Sequence, residues 1–330
     1  MNIMTHKLIT LLMVLVTTTI ISSCGSDDAI DVSVGDNIDQ TVSTVIDVDQ
    51  DLFLGSTVTI VDCTLSNGTT TTCYQIVAST PTDHDMGPWC PDNISDDATA
   101  GGIWLENGEV YDVDGAFVAN MATFYNDDTW LMYDENGDIY VTETENDCIN
   151  AANPNVGEAY KNYCVECVPD YITDITNTWL IPTTPVKLTT TASFAGMGPP
   201  GQQTSGPSVR GIAFNGVEFS AAAPVDNILG AYTLAPFDDA GGHINVNQGY
   251  HYHAATGVST KVTQEDDHAA MIGYAADGHG IYEQKNEDDS EPSDLDGCRG
   301  HYDDTRGYHY HVDAAGSNNF IDCLYGAYVN

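Results

Sequence analysis

The stretch Gly249-Tyr250-His251-Tyr252-His253 returns as Gly307-Tyr308-His309-Tyr310-His311, in a chain that holds only 10 histidines among 330 residues. Extended outward, the copies read GHINVNQGYHYH (242–253) and GHYDDTRGYHYH (300–311), ungapped, 58 residues apart and identical at seven of twelve positions. Side chains alternate along a β-strand, so Tyr-His-Tyr-His puts both histidines on one face and both tyrosines on the other. The Asn/Gln/Gly-rich and Asp/Arg/Gly-rich segments inside the copies are turn-like. Each copy therefore reads as a hairpin that returns His243 beside His251 and His253, or His301 beside His309 and His311. Three imidazoles then converge on one face. Neutral imidazole is a common ligand for zinc and copper, and three histidines with an open position form a catalytic-type donor set. With an ordinary pKa near 6.5, most of these rings carry a free nitrogen at pH 7 and above. The six histidines are candidate ligands for Cu or Zn. The alternatives are a stacked His/Tyr network without metal and metal-free acid–base chemistry. The sequence assigns no catalytic residue.

The rest of the chain is written in strands and turns. STVTIVDCTL and TCYQIVAS alternate and are rich in β-branched residues. IWLENGEVYDV (103–113) and WLMYDENGDIYV (130–141) each set Asn-Gly between alternating apolar runs, a hairpin signal. DENGD at 134–138 lacks the spacing and terminal Glu of an EF-hand loop and reads as a turn. Long helical patterns are scarce. The expected class is mainly β, a hairpin-rich sandwich or barrel-like fold with disulfides and little helix. Pro/Gly-rich stretches at 181–186 and 196–208 suggest a boundary between a β-rich region (51–180) and a C-terminal domain (181–330).

A hydrophobic fraction of 42% supports a packed core. The charge is lopsided: 49 acidic against 8 basic residues, net -41. Such a surface repels nucleic acid and anionic membranes, which leaves nucleic acid out as a partner. It suits a highly solvated protein in a salty medium; acidic clusters that collect Ca²⁺ are the alternative. At the N-terminus MNIMTHK precedes the apolar run LITLLMVLVTTTI, too short to span comfortably. That run leads into Ile21-Ser22-Ser23-Cys24, which resembles the bacterial lipobox. The resemblance implies a signal peptide over 1–23, lipid on Cys24, an acidic tether over 24–50, and anchoring at the outer membrane or cell surface. Eight other cysteines remain, an even number that suits disulfides in an exported chain. Cys63 and Cys73 flank TLSNGTTTT, and a three-residue turn at 67–69 sets them opposite each other. Cys298 and Cys323 flank the second histidine copy and are expected to pair. The CVEC at 164–167 has no second CxxC, so structural disulfides are favoured over a redox or metal role. The pairing of Cys90, Cys148, Cys164 and Cys167 stays open.

The segments GIAFNGVEF (211–219), MIGYAADGHGIYE (271–283), LDGCRGH (295–301), YHYHV and FIDCLYG (320–326) resemble, in order, those of the YHYH-domain family. The resemblance runs over roughly residues 180 to 328 and implies an exported domain without a settled activity. His279 departs from it, standing where the family usually has an aromatic residue, and Asp322-Cys323 replaces the usual Gly-Cys. Asp277-Gly278 reads as a turn dipeptide. Asp277 and His279 are also candidates for an added ligand or for a group that orients an imidazole. The expected function is an acylated, exported lipoprotein whose histidine modules bind Cu or Zn. The rivals are a metal-dependent extracellular oxidase or hydrolase, and a metal-free module for a surface ligand or glycan.

Overall fold

Each repeated segment folds as a hairpin. Gly242–Asn245 pairs antiparallel with Gly249–Tyr252, with His243 opposite His251. Gly300–Asp303 pairs with Gly307–His311 in the same way, with His301 opposite His309. The computed structural model describes residues 44–79, 85–152, 156–194 and 206–330. The apolar leader, Cys24, the tether as far as residue 43 and most of the stretch 196–208 lie outside the described residues.

Every shared residue of the repeat has a structural task. Gly249 and Gly307 leave the turns with φ of 91° and 64°, a region that L side chains rarely adopt. Gly242 and Gly300 lie beneath the rings of Tyr250 and Tyr308. A methyl group on Gly300 would sit 2.1 Å from the Tyr308 hydroxyl. That ring cannot retreat: its hydroxyl donates to Asp296 at 2.9 Å and its face stacks on Tyr325 at 3.8 Å. Gly300→Ala should therefore destabilise the fold by about 1–3 kcal/mol, read as a lower urea midpoint at unchanged slope. An unchanged midpoint would contradict this packing.

The hairpins occupy the two edges of an eight-stranded sheet. Across it the strands run Gly242–Asn245, Gly249–Tyr252, Glu218–Phe219, Gly211–Ala213, Met271–Ala275, Gly280–Tyr282, Gly307–His311 and Gly300–Asp303. From either edge the pairings read antiparallel, parallel, antiparallel, and the halves meet at the antiparallel pair Gly211–Ala213 with Met271–Ala275. The sheet is thus an internally duplicated unit, and its side-chain bonds repeat too. Asn215 donates to the Tyr252 hydroxyl at 3.0 Å, and at the matching place the Tyr310 hydroxyl donates to Asp277 at 2.7 Å. Tyr250 donates to Asp238 as Tyr308 does to Asp296. The tyrosine face packs with Phe219, Ile281 and Phe320 into the largest buried apolar cluster.

Thr57–Thr64, Thr70–Ser79 and Thr176–Pro182 form a separate three-stranded sheet. With short strand pairs and three short helices among the described residues, these are mainly β and sandwich-like without a closed barrel. Ser43–Asn330 forms one compact unit. Residues 44–50 pack on it: Val48 is buried and bonds the Thr183 carbonyl. Among the described residues no helix is long and apolar enough to cross a membrane.

The disulfides join Cys63–Cys73, Cys90–Cys164, Cys148–Cys167 and Cys298–Cys323. The members of CVEC thus bond to distant partners and not to each other. Cys63 and Cys73 are diagonal, not opposite, because Cys63 faces Thr71 and Val61 faces Cys73. The turn keeps three residues but sits one position earlier than expected, at 66–68, where the Leu65 amide bonds the Thr69 carbonyl, and that shift moves the register. The Asn107-Gly108 hairpin forms as expected, between Ile103–Glu106 and Glu109–Asp112. The 130–141 stretch does not form a regular hairpin: its DENGD turn closes on the single bridge Tyr133–Ile139. Its local backbone bonds are Asp134 to the Asp138 carbonyl and Tyr140 to the Met132 carbonyl, while the Ile139 amide donates to the Asp92 carbonyl and the Tyr140 carbonyl accepts from the Cys164 amide.

Candidate metal centres

Two groups of imidazoles converge, one on each hairpin. His243, His251 and His253 form the first; His268, His301, His309 and His311 form the second. Within each group the ligand atoms lie within 4.8 Å of one another. Parallel register places Glu218 beside His251, so the His243, His251 and Glu218 side chains form a row on one face of the sheet. Four strands separate the two inner histidine strands, which sets the groups about 24 Å apart at the usual spacing of about 4.8 Å per strand. They are two centres and not halves of one.

The hydrogen bonds decide which ring nitrogens face inward. In the first group His251 Nδ1 bonds the Gly249 carbonyl at 3.1 Å and His253 Nδ1 the Ala221 carbonyl at 2.7 Å, while His243 bonds the Pro236 backbone. In the second, His309 Nδ1 bonds the Gly307 carbonyl at 3.0 Å, His311 Nδ1 the Glu283 carbonyl at 2.8 Å and His268 Nδ1 the Ala269 carbonyl at 3.0 Å. His301 Nδ1 bonds the Asp294 carboxylate at 2.9 Å. These oxygens have no proton to give, so in each such pair Nδ1 carries the proton and the Nε2 of a neutral ring is a bare lone pair. Holding a ligand histidine by its other nitrogen is the arrangement that fixes ring orientation in metal sites.

The inward Nε2 atoms then meet one another. His243 and His253 face at 3.2 Å, and His268 and His309 at 3.0 Å. Two lone pairs at that distance repel unless a cation lies between them. The buried Nε2 atoms of His301 and His311 have no hydrogen-bond partner. A buried polar atom without a partner costs about 1–3 kcal/mol, which a coordinated ion would relieve. These histidine groups can hold a metal ion.

Burial keeps the rings neutral and so ready to coordinate. It lowers His251 to about 4, His309 to about 4 and His311 to about 3, and it holds His243 and His253 well below the ordinary value. Their folded pKa lies below the unfolded value of about 6.5, so under pH 6.5 the unfolded chain takes up protons that the folded chain refuses. Stability is therefore retained above pH 6.5 and lost as the pH falls toward 4. Urea midpoints of the metal-free protein between pH 7.5 and 4.5 should decline on that schedule. A midpoint that holds level to pH 4.5 would contradict the burial of these rings.

Asp277 and His279 lie elsewhere. Asp277 is fully buried on the tyrosine side, where it accepts from the Tyr310 hydroxyl at 2.7 Å, the Gly326 amide at 2.7 Å and the His279 amide at 3.2 Å. His279 bonds the Tyr308 carbonyl through Nδ1 and is surrounded by Tyr308, Tyr310 and Tyr325. Neither joins a histidine group. His268 is the member that sequence reasoning missed. It sits outside the repeat in QEDDHAAM, and a loop brings it across the Tyr282 ring at 4.8 Å. Its only signal is scarcity, as one of ten histidines.

No curated protein and no solved structure matches the chain. Residues 178–294 match the family model described as YHYH protein, a span that takes in the first hairpin and His268 and stops before the second hairpin. With the matched segment carrying the first histidine group and the duplicated sheet carrying the second, the chain contains a YHYH domain.

Proposed function

We propose that this protein is an exported, lipid-anchored metal-binding protein in which each histidine hairpin holds one transition-metal ion, copper or zinc. The observation that carries the reading is the orientation of the rings: Nδ1 atoms turn outward to oxygen acceptors while Nε2 atoms turn inward to one another. Imidazole nitrogen suits both metals, and the hard-oxygen ligands that calcium needs are missing from the two groups. The lipobox at Ile21–Cys24 supports export and an anchor at the outer membrane or cell surface.

The test is metal content after equilibrium dialysis of tag-free protein against Cu²⁺ or Zn²⁺. Two ions per chain are expected. A chain that binds no more metal than a variant with all seven histidines replaced by alanine would overturn the reading. The anchor is tested separately by Cys24→Ser and cell fractionation. Loss of membrane association is expected, and unchanged association with unchanged mass would remove the lipid.

A further inference from the structure

The two centres differ in what lies before them. The second holds four imidazoles, with His309 and His311 almost fully buried, and what opens beside His268 is lined by Asp266, Asp267, Asp288, Asp303 and Arg306. The first holds three imidazoles, and all three line a cavity of about 620 Å³. Three protein nitrogens leave a bound ion at least one position for an outside ligand, whereas four can close the shell. The duplication sharpens the contrast: by register Gly280 occupies in the second half the place that Glu218 occupies in the first.

The cavity walls state what fits. Trp89, Trp179, Val165, Pro224 and Ile228 supply apolar surface, and the volume lies in the range that takes a drug-sized molecule. The acidic residues Glu166 and Glu218 also line it, and among the described lining residues there is no lysine or arginine. Glu218 is held in place by the Ser220 hydroxyl at 2.6 Å and the Gln248 amide at 2.8 Å. Arg210 interacts with Glu218 electrostatically but bonds the Ser208 carbonyl and stacks on Phe194, outside the lining. An anionic ligand would meet two carboxylates and no paired cation in the wall.

We propose that the three-histidine centre is a ligand-binding centre, where the metal's open position takes the donor atom of a neutral organic molecule whose apolar body fills the cavity. The four-histidine centre is closed to such ligands. This rests on the metal-binding reading above and assigns the two centres different work.

The test uses tag-free protein loaded with Co²⁺, whose visible spectrum reports a change of ligand, with cobalt content measured on the same samples. The probes are 4-phenylimidazole, imidazole, and the anionic 4-(imidazol-4-yl)benzoate at pH 8. Wild type and His311→Ala should give a saturable spectral change, and His251→Ala should give none. 4-Phenylimidazole should bind at least tenfold more tightly than imidazole, and the benzoate at least tenfold more weakly than 4-phenylimidazole. Ile228→Trp, which enlarges one wall, should remove most of the phenyl advantage and leave imidazole binding and cobalt content unchanged. Cobalt at both centres with no preference for the phenyl ring would overturn the proposal. So would a response that is lost in His311→Ala and kept in His251→Ala. Cobalt missing from the three-histidine centre would overturn the metal reading itself, and with it this proposal.

Discussion

Replacing His311 by alanine is expected to remove one metal ion per chain and leave the other in place. His311 is fully buried, its Nδ1 is held by the Glu283 carbonyl, and its Nε2 has no other partner. Removing it reduces the second centre from four imidazoles to three, one of them tied to an exposed carboxylate. Loss of the outer hydrogen-bond partner of a ligand alone typically costs 10–100-fold in affinity, so loss of the ligand itself should cost more than about 100-fold. Stoichiometry should fall from two to one at micromolar metal. His251→Ala should produce the same fall at the other end of the sheet, and the double variant should bind none. Tyr308→Phe keeps the ring on the opposite face and should leave metal content unchanged. Its loss should show only in stability, because Asp296 gives up a hydrogen bond from that hydroxyl. If either single histidine variant lost both ions, the two groups would have to be coupled in a way that four intervening strands do not suggest.

The second large effect is on folding. Asp277→Ala should destabilise the protein by roughly 3–9 kcal/mol, since it strands three buried donors, the Tyr310 hydroxyl and the Gly326 and His279 amides, at roughly 1–3 kcal/mol each. Tyr310 is fully buried and has few routes to water. Asp277→Asn keeps one acceptor oxygen and should cost less. Chemical denaturation of the two variants gives the ordering. Metal content should stay at two in whatever fraction is folded, because Asp277 belongs to the tyrosine face. An Asp277→Ala protein of wild-type stability would show that these bonds carry little weight.

The repeat made much of this legible. Gly-His-x5-Gly-Tyr-His-Tyr-His encodes a hairpin completely: one glycine for a close ring, one for a positive φ, alternate tyrosines for the core and alternate histidines for the other face. What the repeat could not encode is contact over distance. His268 reaches His309 across 41 positions through a loop with no periodic pattern. The Cys90–Cys164 pair spans 74 positions, and its partner choice follows from which loops meet, not from spacing. The second Asn-Gly hairpin stayed short for the same reason, since beyond its bonds at Asp134–Asp138 and Tyr140–Met132 the Tyr140 carbonyl accepts from Cys164, 24 positions away. The difference between Asp277 as a ligand and Asp277 as an anchor for Tyr310 was also hidden, because both readings use the same turn dipeptide. Only the pairing of the neighbouring strands decides which face the carboxylate joins.

The most direct measurement is anomalous diffraction from crystals of metal-loaded protein, collected on both sides of the metal's absorption edge. Two peaks are expected, one among the Nε2 atoms of His243, His251 and His253, the other among those of His268, His301, His309 and His311, with the Nδ1 bonds to the Gly249, Ala221, Gly307, Glu283 and Ala269 carbonyls retained. Peaks confined to surface carboxylates, or rings turned so that Nδ1 faces inward, would contradict it.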